Sequence, residues 1–260
     1  MTILDTIAER AKLRVVGYKE KISSDELKKR ALSLPRGNFP FEVALKSDGL
    51  SFICECKKAS PSKGLIAPDF PYLTIAKEYA AAGADAVSVL TEPEFFLGND
   101  RFLEEIAREV SIPCLRKDFV VDEYMIWQAK VLGASALLLI CAILDDVQLK
   151  NFIATCDDLG LSALVEAHDE QEIRRAIDCG ARIIGVNNRN LKDFTVDTDN
   201  AKRLRELVPP EIIFVSESGV QSADDVKKIR VLGADAVLIG ETLMRAVDKK
   251  SKLAELRGDE

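Results

Sequence analysis

One phrase, written four times along the chain, constrains the fold more than any other feature. Gly83-Ala84-Asp85-Ala86-Val87, Gly133-Ala134-Ser135-Ala136-Leu137, Gly180-Ala181-Arg182-Ile183-Ile184 and Gly233-Ala234-Asp235-Ala236-Val237 recur with their glycines 50, 47 and 53 residues apart. Each copy reads as a helix ending in a left-handed glycine and turning at once into a strand. Fifty residues hold about two strand–helix units, so the phrase marks every second strand, and four copies make eight units.

The apolar runs agree. They lie at Ser51–Cys56, Ala86–Leu90, Ile112–Lys117, Ala136–Ile140, Ser162–Glu166, Ile183–Asn187, Ile212–Ser216 and Ala236–Ile239. Between them stand amphipathic helices, among them Tyr72–Ala82, Arg101–Val110, Glu123–Leu132, Val147–Leu159 and Ala223–Leu232. Near-continuous apolar strands alternating with helices indicate a parallel sheet buried on both faces. The natural closure of eight such units is an α/β fold of the (β/α)8 TIM-barrel type, whose usual size suits 260 residues. The alternative, an open doubly wound sheet, lacks its early G-x-G-x-x-G fingerprint.

Some 48 residues precede the first strand. Ile3, Leu4, Ile7, Ala8, Ala11 and Val15 fall at helical spacing and predict a helix over 3–16. Ser24 reads as the N-cap of a second helix that starts with Asp25 and Glu26 and stops before Pro35. One or two further helical turns are expected over 39–45. This segment is too short and too polar for its own core, so residues 1–48 are expected to pack on the barrel as an N-terminal helical extension of a single domain, 1–260.

Composition bounds the function. With 36 basic and 43 acidic residues interspersed, the net charge is −7, and no cationic stripe is available for a nucleic acid. A phosphorylated substrate needs a local cationic pocket. The longest near-apolar run, 134–144, is too short to span a membrane. The start of the chain lacks a signal-peptide pattern. The six cysteines match no disulfide or zinc spacing and read as reduced core thiols of a cytoplasmic protein.

Barrels of this kind carry their sites at the C-terminal ends of the strands. Those positions hold Glu55 and Lys57, then Lys117, Glu166, Asn187 with Arg189, Ser218 with Gly219, and Gly240 with Glu241. Glu55 and Lys57 alternate onto one strand face, with Cys54 and Cys56 on the other. Alone, the pair could be a surface ion pair beside a solvated loop; among the other strand ends it reads as part of a site. Gly219 and Gly240 follow the last two strands, where backbone N–H groups commonly hold phosphate. His168, the single histidine, reads as structural, and Tyr124 and Trp127 as packing residues.

At these residues the chain resembles the indole-3-glycerol phosphate synthase family of tryptophan biosynthesis. The likeness rests on Glu55-Cys56-Lys57-Lys58-Ala59-Ser60-Pro61-Ser62-Lys63-Gly64, Leu115-Arg116-Lys117-Asp118-Phe119, Leu164-Val165-Glu166-Ala167-His168-Asp169, Ile184 to Leu191, Ser216-Glu217-Ser218-Gly219 and Ile239-Gly240-Glu241. Cys56 and Lys58 depart mildly from its usual aliphatic residue and arginine. The resemblance implies ring closure, decarboxylation and dehydration of 1-(2-carboxyphenylamino)-1-deoxyribulose 5-phosphate, with no metal and no organic cofactor. It implies Lys117 as general acid and Glu166 as the carboxylate that stabilises the cationic intermediate. Glu55 and Lys57 would serve the dehydration, and Asn187 and Arg189 would orient the substrate. Ser218 would assist positioning, with Ser60, Gly219, Gly240 and Glu241 as binding residues for substrate and phosphate. Other tryptophan-pathway enzymes are candidate partners.

Two other readings compete. A phosphoribosylanthranilate isomerase needs a catalytic cysteine followed by glycine after the first strand, whereas Cys56 is followed by Lys57 and Lys58. A catalytically silent phosphate-binding barrel would not need Lys117, Glu166 and Glu55 together. Residues 60–64 are expected to form a mobile loop that closes over the substrate.

Overall fold

The computed structural model describes residues 2–190, 194–197 and 199–258. Leu191, at the end of one motif, lies outside them. Eight parallel strands close into a barrel: β1 (Ser51–Cys56), β2 (Ala86–Leu90), β3 (Cys114–Lys117), β4 (Ala136–Ile140), β5 (Ser162–Ala167), β6 (Ile183–Asn187), β7 (Ile213–Glu217) and β8 (Ala236–Ile239), with β8 paired back onto β1. β3 starts two residues later than the apolar run, because Pro113 has no N–H for the ladder. β7 lies one residue further along than expected, so that Glu217 belongs to the strand.

The four repeated glycines, Gly83, Gly133, Gly180 and Gly233, all have φ between 79° and 89°, as a helix-ending turn requires. In the two repeats that carry aspartate, Asp85 accepts the Phe52 N–H and Asp235 the Phe214 N–H, each at 2.7 Å. These bonds pin the bottom of one strand to the turn that opens its neighbour.

Two apolar layers hold the barrel. The outer one lies between strands and helices and includes Cys54, Cys56, Val87, Val165 and Val237. The inner one contains Ile53, Ala86, Leu115, Leu138, Leu164, Ile183, Ile213, Val215 and Leu238. All six cysteines are free, and five are buried.

The extension has three helices. α1 runs Ile3–Lys21, five residues beyond the predicted end, behind a Thr2/Asp5 capping box. α2 spans Ser24–Ser33, and its N-cap is Ser23 rather than Ser24: the Ser23 hydroxyl accepts the Glu26 N–H. Between the strands follow α4 (Tyr72–Ala81), α5 (Asp100–Glu109), α6 (Glu123–Val131), α7 (Asp146–Leu159), α8 (Glu170–Asp178), α9 (Asp199–Arg205) and α10 (Ala223–Val231), and α2 packs on α6, where Lys28 lies over the Trp127 ring at 5.1 Å. The Tyr124 hydroxyl donates to the carbonyls that end α1, so both aromatics do serve packing. α3 (Pro40–Leu45) buries Phe41 and Leu45 in the inner layer and so closes the end of the barrel opposite the mouth.

Candidate functional site at the barrel mouth

Strand parity builds the site. Side chains two apart share a face, so the inward series Ile53, Leu115, Leu164, Ile183 and Val215 continues outward along the axis into Glu55, Lys117, Glu166, Asn187 and Glu217. Register sets Asn187 directly beside Glu217, and Glu166 beside Gly185, two residues before Asn187. These side chains line one cavity of about 630 Å³, room for a substrate of modest size.

Lys117 is its central cation. Its Nζ stands 2.5 Å from Glu217 Oε2 and 3.5 Å from Glu166 Oε2. Burial opposes its charge, but Glu217, Glu166 and Glu55 outweigh burial and raise its pKa, so the ammonium stays protonated. Asn187 Nδ2 donates to Glu166 Oε2 at 3.3 Å, and Asn187 Oδ1 accepts the Arg189 N–H at 3.0 Å.

Glu217 was not singled out by the sequence reading, which chose the adjacent Ser218. It is 2 % exposed, and its Oε1 has no hydrogen-bond partner. Burial first, and then the charge of Glu166, push its pKa up against the pull of Lys117. Gly185 makes its place, since a Cβ there would lie 2.2 Å from Glu217 Oε1. Alternation along Ile213, Val215 and Glu217 was the signal that could have found it. Ser218 lines the cavity from just beyond the strand, in the left-handed region (φ 67°).

Just past β1, two strands round the barrel from β7, Lys57 Nζ donates to Glu55 Oε1 at 2.5 Å. Both press on Gly240, where a Cβ would lie 2.4 Å from the carboxylate oxygen and 2.8 Å from the amine. Gly240 precedes α11 (Glu241–Arg245), and Gly219, Gly240, Glu241 and Thr242 all line the cavity. The Glu241 carboxylate pairs instead with Lys63 (3.6 Å) and Arg245 (3.0 Å).

Residues 60–64 are not simple loop. Ala59–Ser60 pairs antiparallel with Gly64–Leu65, and the Ile66 and Ala67 N–H groups both bond the Lys58 carbonyl. Ser60 and Gly64 therefore belong to a small hairpin, with Ser60 and Lys63 on the cavity. Arg189 also lines the cavity and donates to the Phe194 carbonyl at 3.4 Å. All the residues chosen from sequence thus converge on one mouth. Its apolar wall, from Ile3, Leu4 and Ile7 of α1 with Phe96, Phe119 and Phe194, was not foreseen.

Behind Lys117 lies a buried network. Asp118 accepts from Arg14 of α1 at 2.6 Å and from Thr91 at 2.6 Å, with Arg116 at 3.6 Å. Burial pushes Asp118 up, but the two guanidiniums and these hydrogen bonds hold it below the usual carboxylate range. Arg116, wholly buried, also bonds Asp100, Gln128 and the Met125 carbonyl.

Comparison with known proteins agrees with this geometry. The indole-3-glycerol phosphate synthase family matches residues 4–256. The chain is 58 % identical over 257 residues to the indole-3-glycerol phosphate synthase of Ruminiclostridium cellulolyticum, covering 98 % of this chain and 99 % of that one. It is 49 % identical to that of Lachnoclostridium phytofermentans, covering 98 % of each. Among solved structures, 3-hexulose-6-phosphate synthase from Salmonella typhimurium superposes with a TM-score of 0.66 over 80 % of this chain and 96 % of that one, at 14 % identity. That likeness is one of fold.

Proposed function

This chain belongs to the indole-3-glycerol phosphate synthase family, and from that membership we propose how its own residues carry the reaction. The activity is that of a carbon–carbon lyase of tryptophan biosynthesis acting on a phosphorylated small molecule. The substrate is 1-(2-carboxyphenylamino)-1-deoxyribulose 5-phosphate. Its phosphate sits at Gly219, Gly240 and the first N–H groups of α11, with Ser60 and the hairpin closing over it. Arg189 holds the anthranilate carboxylate, and Asn187 and Ser218 position the rest.

The observation that carries this reading is the ammonium of Lys117 fixed between two buried carboxylates at the cavity floor. Attack of the aromatic carbon on the substrate ketone develops an alkoxide. That oxygen becomes more basic than the amine, so even an amine of raised pKa can deliver its proton there. The ring intermediate is cationic, and Glu166 stabilises it as a preorganised anion. The same positive charge accepts the electron pair as carbon dioxide leaves, so decarboxylation needs no further group. Loss of water follows, with Lys57 protonating the departing hydroxyl and Glu55 accepting a proton. Glu217 joins this set as the second carboxylate on Lys117.

The reduced, mostly buried thiols favour a cytoplasmic setting. The contacts of α1, α2 and α3 with the barrel favour one domain across the chain. The test is direct. Purified protein mixed with the substrate generates indole absorbance and fluorescence, and Glu166→Gln lowers that rate by about 10²-fold or more with unchanged circular dichroism. A variant rate within a few fold of the parent would contradict the assignment.

A further inference from the structure

Glu166 has two carboxylate oxygens, and Lys117 and Asn187 both engage the same one. Oε2 faces Lys117 and Asn187. Oε1 faces the other way, where His168 Nε2 stands 3.5 Å from it. That nitrogen is buried and has no hydrogen-bond partner. The ring is held from behind. His168 Nδ1 is 3.2 Å from Glu172 Oε2, and the same oxygen accepts the His168 backbone N–H at 2.8 Å. Glu172 is fixed in turn, because its own N–H donates to Asp169, the N-cap of α8 (Glu170–Asp178). Asn200 Nδ2 donates to the His168 carbonyl at 3.2 Å and holds the backbone from the α9 side (Asp199–Arg205).

We propose that His168 is a positioning residue for the reaction: a cationic imidazole, clamped by Glu172, that orients Glu166 from behind and aims its other oxygen at the substrate. The inference rests on the reading of Glu166 given above and extends it by one residue.

The charges around the ring make the cation natural. Glu166 comes from β5, Glu172 from α8 and Glu217 from β7, while Lys117 of β3 lies beyond Glu166. Cys141, whose thiol reaches the Glu172 carbonyl, is pushed toward its neutral form by burial. Arg175 of α8 is engaged with Asp146 and with the carbonyls of Cys141 and Leu144. Burial alone would discharge the imidazole, but the Glu172 hydrogen bond and the three carboxylates outweigh it and raise the pKa to about 9. Both ring nitrogens then carry protons at neutral pH. Nδ1–H serves Glu172, and Nε2–H is left for Glu166. A histidine so placed adds no proton to the substrate. It costs the carboxylate its freedom to rotate away from the ring carbon.

Because this chain has a single histidine, the imidazole gives one isolated signal in the whole protein. Imidazole ¹⁵N NMR on the intact parent should show both nitrogens protonated at pH 7 and a titration near pH 9, moving clearly downward in Glu166→Gln. A titration near the ordinary value of about 6.5, unmoved by Glu166→Gln, would overturn the proposal. Kinetics supply the second reading. His168→Ala should lower kcat roughly tenfold or more through misplacement of Glu166, with KM within about twofold, and should remove an alkaline limb near pH 9. His168→Gln, which can still donate to Glu166, should recover part of kcat but not the limb. Folded His168 variants with parental kcat and pH profile would refute the positioning role while leaving Glu166 standing if Glu166→Gln is inactive. An active Glu166→Gln would bring down both.

Discussion

Glycine decides where the carboxylates can stand. Gly185 and Gly240 are spaces: one receives Glu217, the other Glu55 and Lys57. Gly185→Ala should push Glu217 off Lys117 and lower kcat by about tenfold or more, at little cost to the fold, because the clashing atom ends a side chain. Steady-state kinetics with a denaturation midpoint would separate the two effects. Arg116 behaves differently, since it is wholly buried and serves Asp118, Asp100, Gln128 and a carbonyl at once. Arg116→Met should destabilise by roughly 3–5 kcal/mol in urea unfolding, because the partners it leaves are still polar and buried. His168 carries a stability signature of its own. Its folded pKa, about 9, lies above the unfolded value, so its contribution is complete below about pH 6.5 and is lost as pH rises through about 9. Unfolding free energy should therefore fall more between pH 6.5 and 9.5 in the parent than in His168→Gln. Residue identity alone marked Lys117 and Glu166. It passed over Glu217, because whether Glu217 or Ser218 faces inward depends on where β7 ends.

Elements explain that difference. The apolar runs located all eight strands, and the repeated glycines located the turns before four of them. Strand ends were harder to read, since Pro113 delays β3 and β7 runs to Glu217. Local signals also missed the hairpin at 59–65. Its strands are two residues each, too short for any periodicity, and among the described residues its one ion pair to the barrel mouth joins Lys63 to Glu241 on a helix far along the chain. We expect this hairpin to act as a lid. Amide exchange at 58–65 should be faster than in β1 without ligand and should slow when product binds. Exchange already as slow as in β1, and unaffected by product, would rule the lid out. α3 has a structural task, with Phe41 and Leu45 filling the closed end of the barrel. Phe41→Ala should cost about 3–5 kcal/mol in equilibrium unfolding, as a buried aromatic truncated in a packed core does.

At the scale of the molecule, the extension touches the site from two directions. α1 places Ile3, Leu4 and Ile7 on the cavity wall and Arg14 on Asp118, the residue after Lys117. The helical periodicity of α1 showed that it had an apolar face. It could not show that part of this face would line the cavity, because the rest of that cavity comes from strand ends and loops far along the chain. The barrel was legible because its pattern repeats. The mouth was legible in most of its residues because the chemistry needs charge where strands should be apolar. In the proposed reaction the Lys117 ammonium, held between Glu166 and Glu217, delivers the proton for ring closure. The most direct measurement is single-turnover indole formation by Lys117→Met with saturating substrate. Substrate should still bind, through the proposed phosphate corner at Gly219 and Gly240, while the chemical step slows by about 10²–10⁴-fold. Bound substrate turned over within a few fold of the parental rate would contradict it.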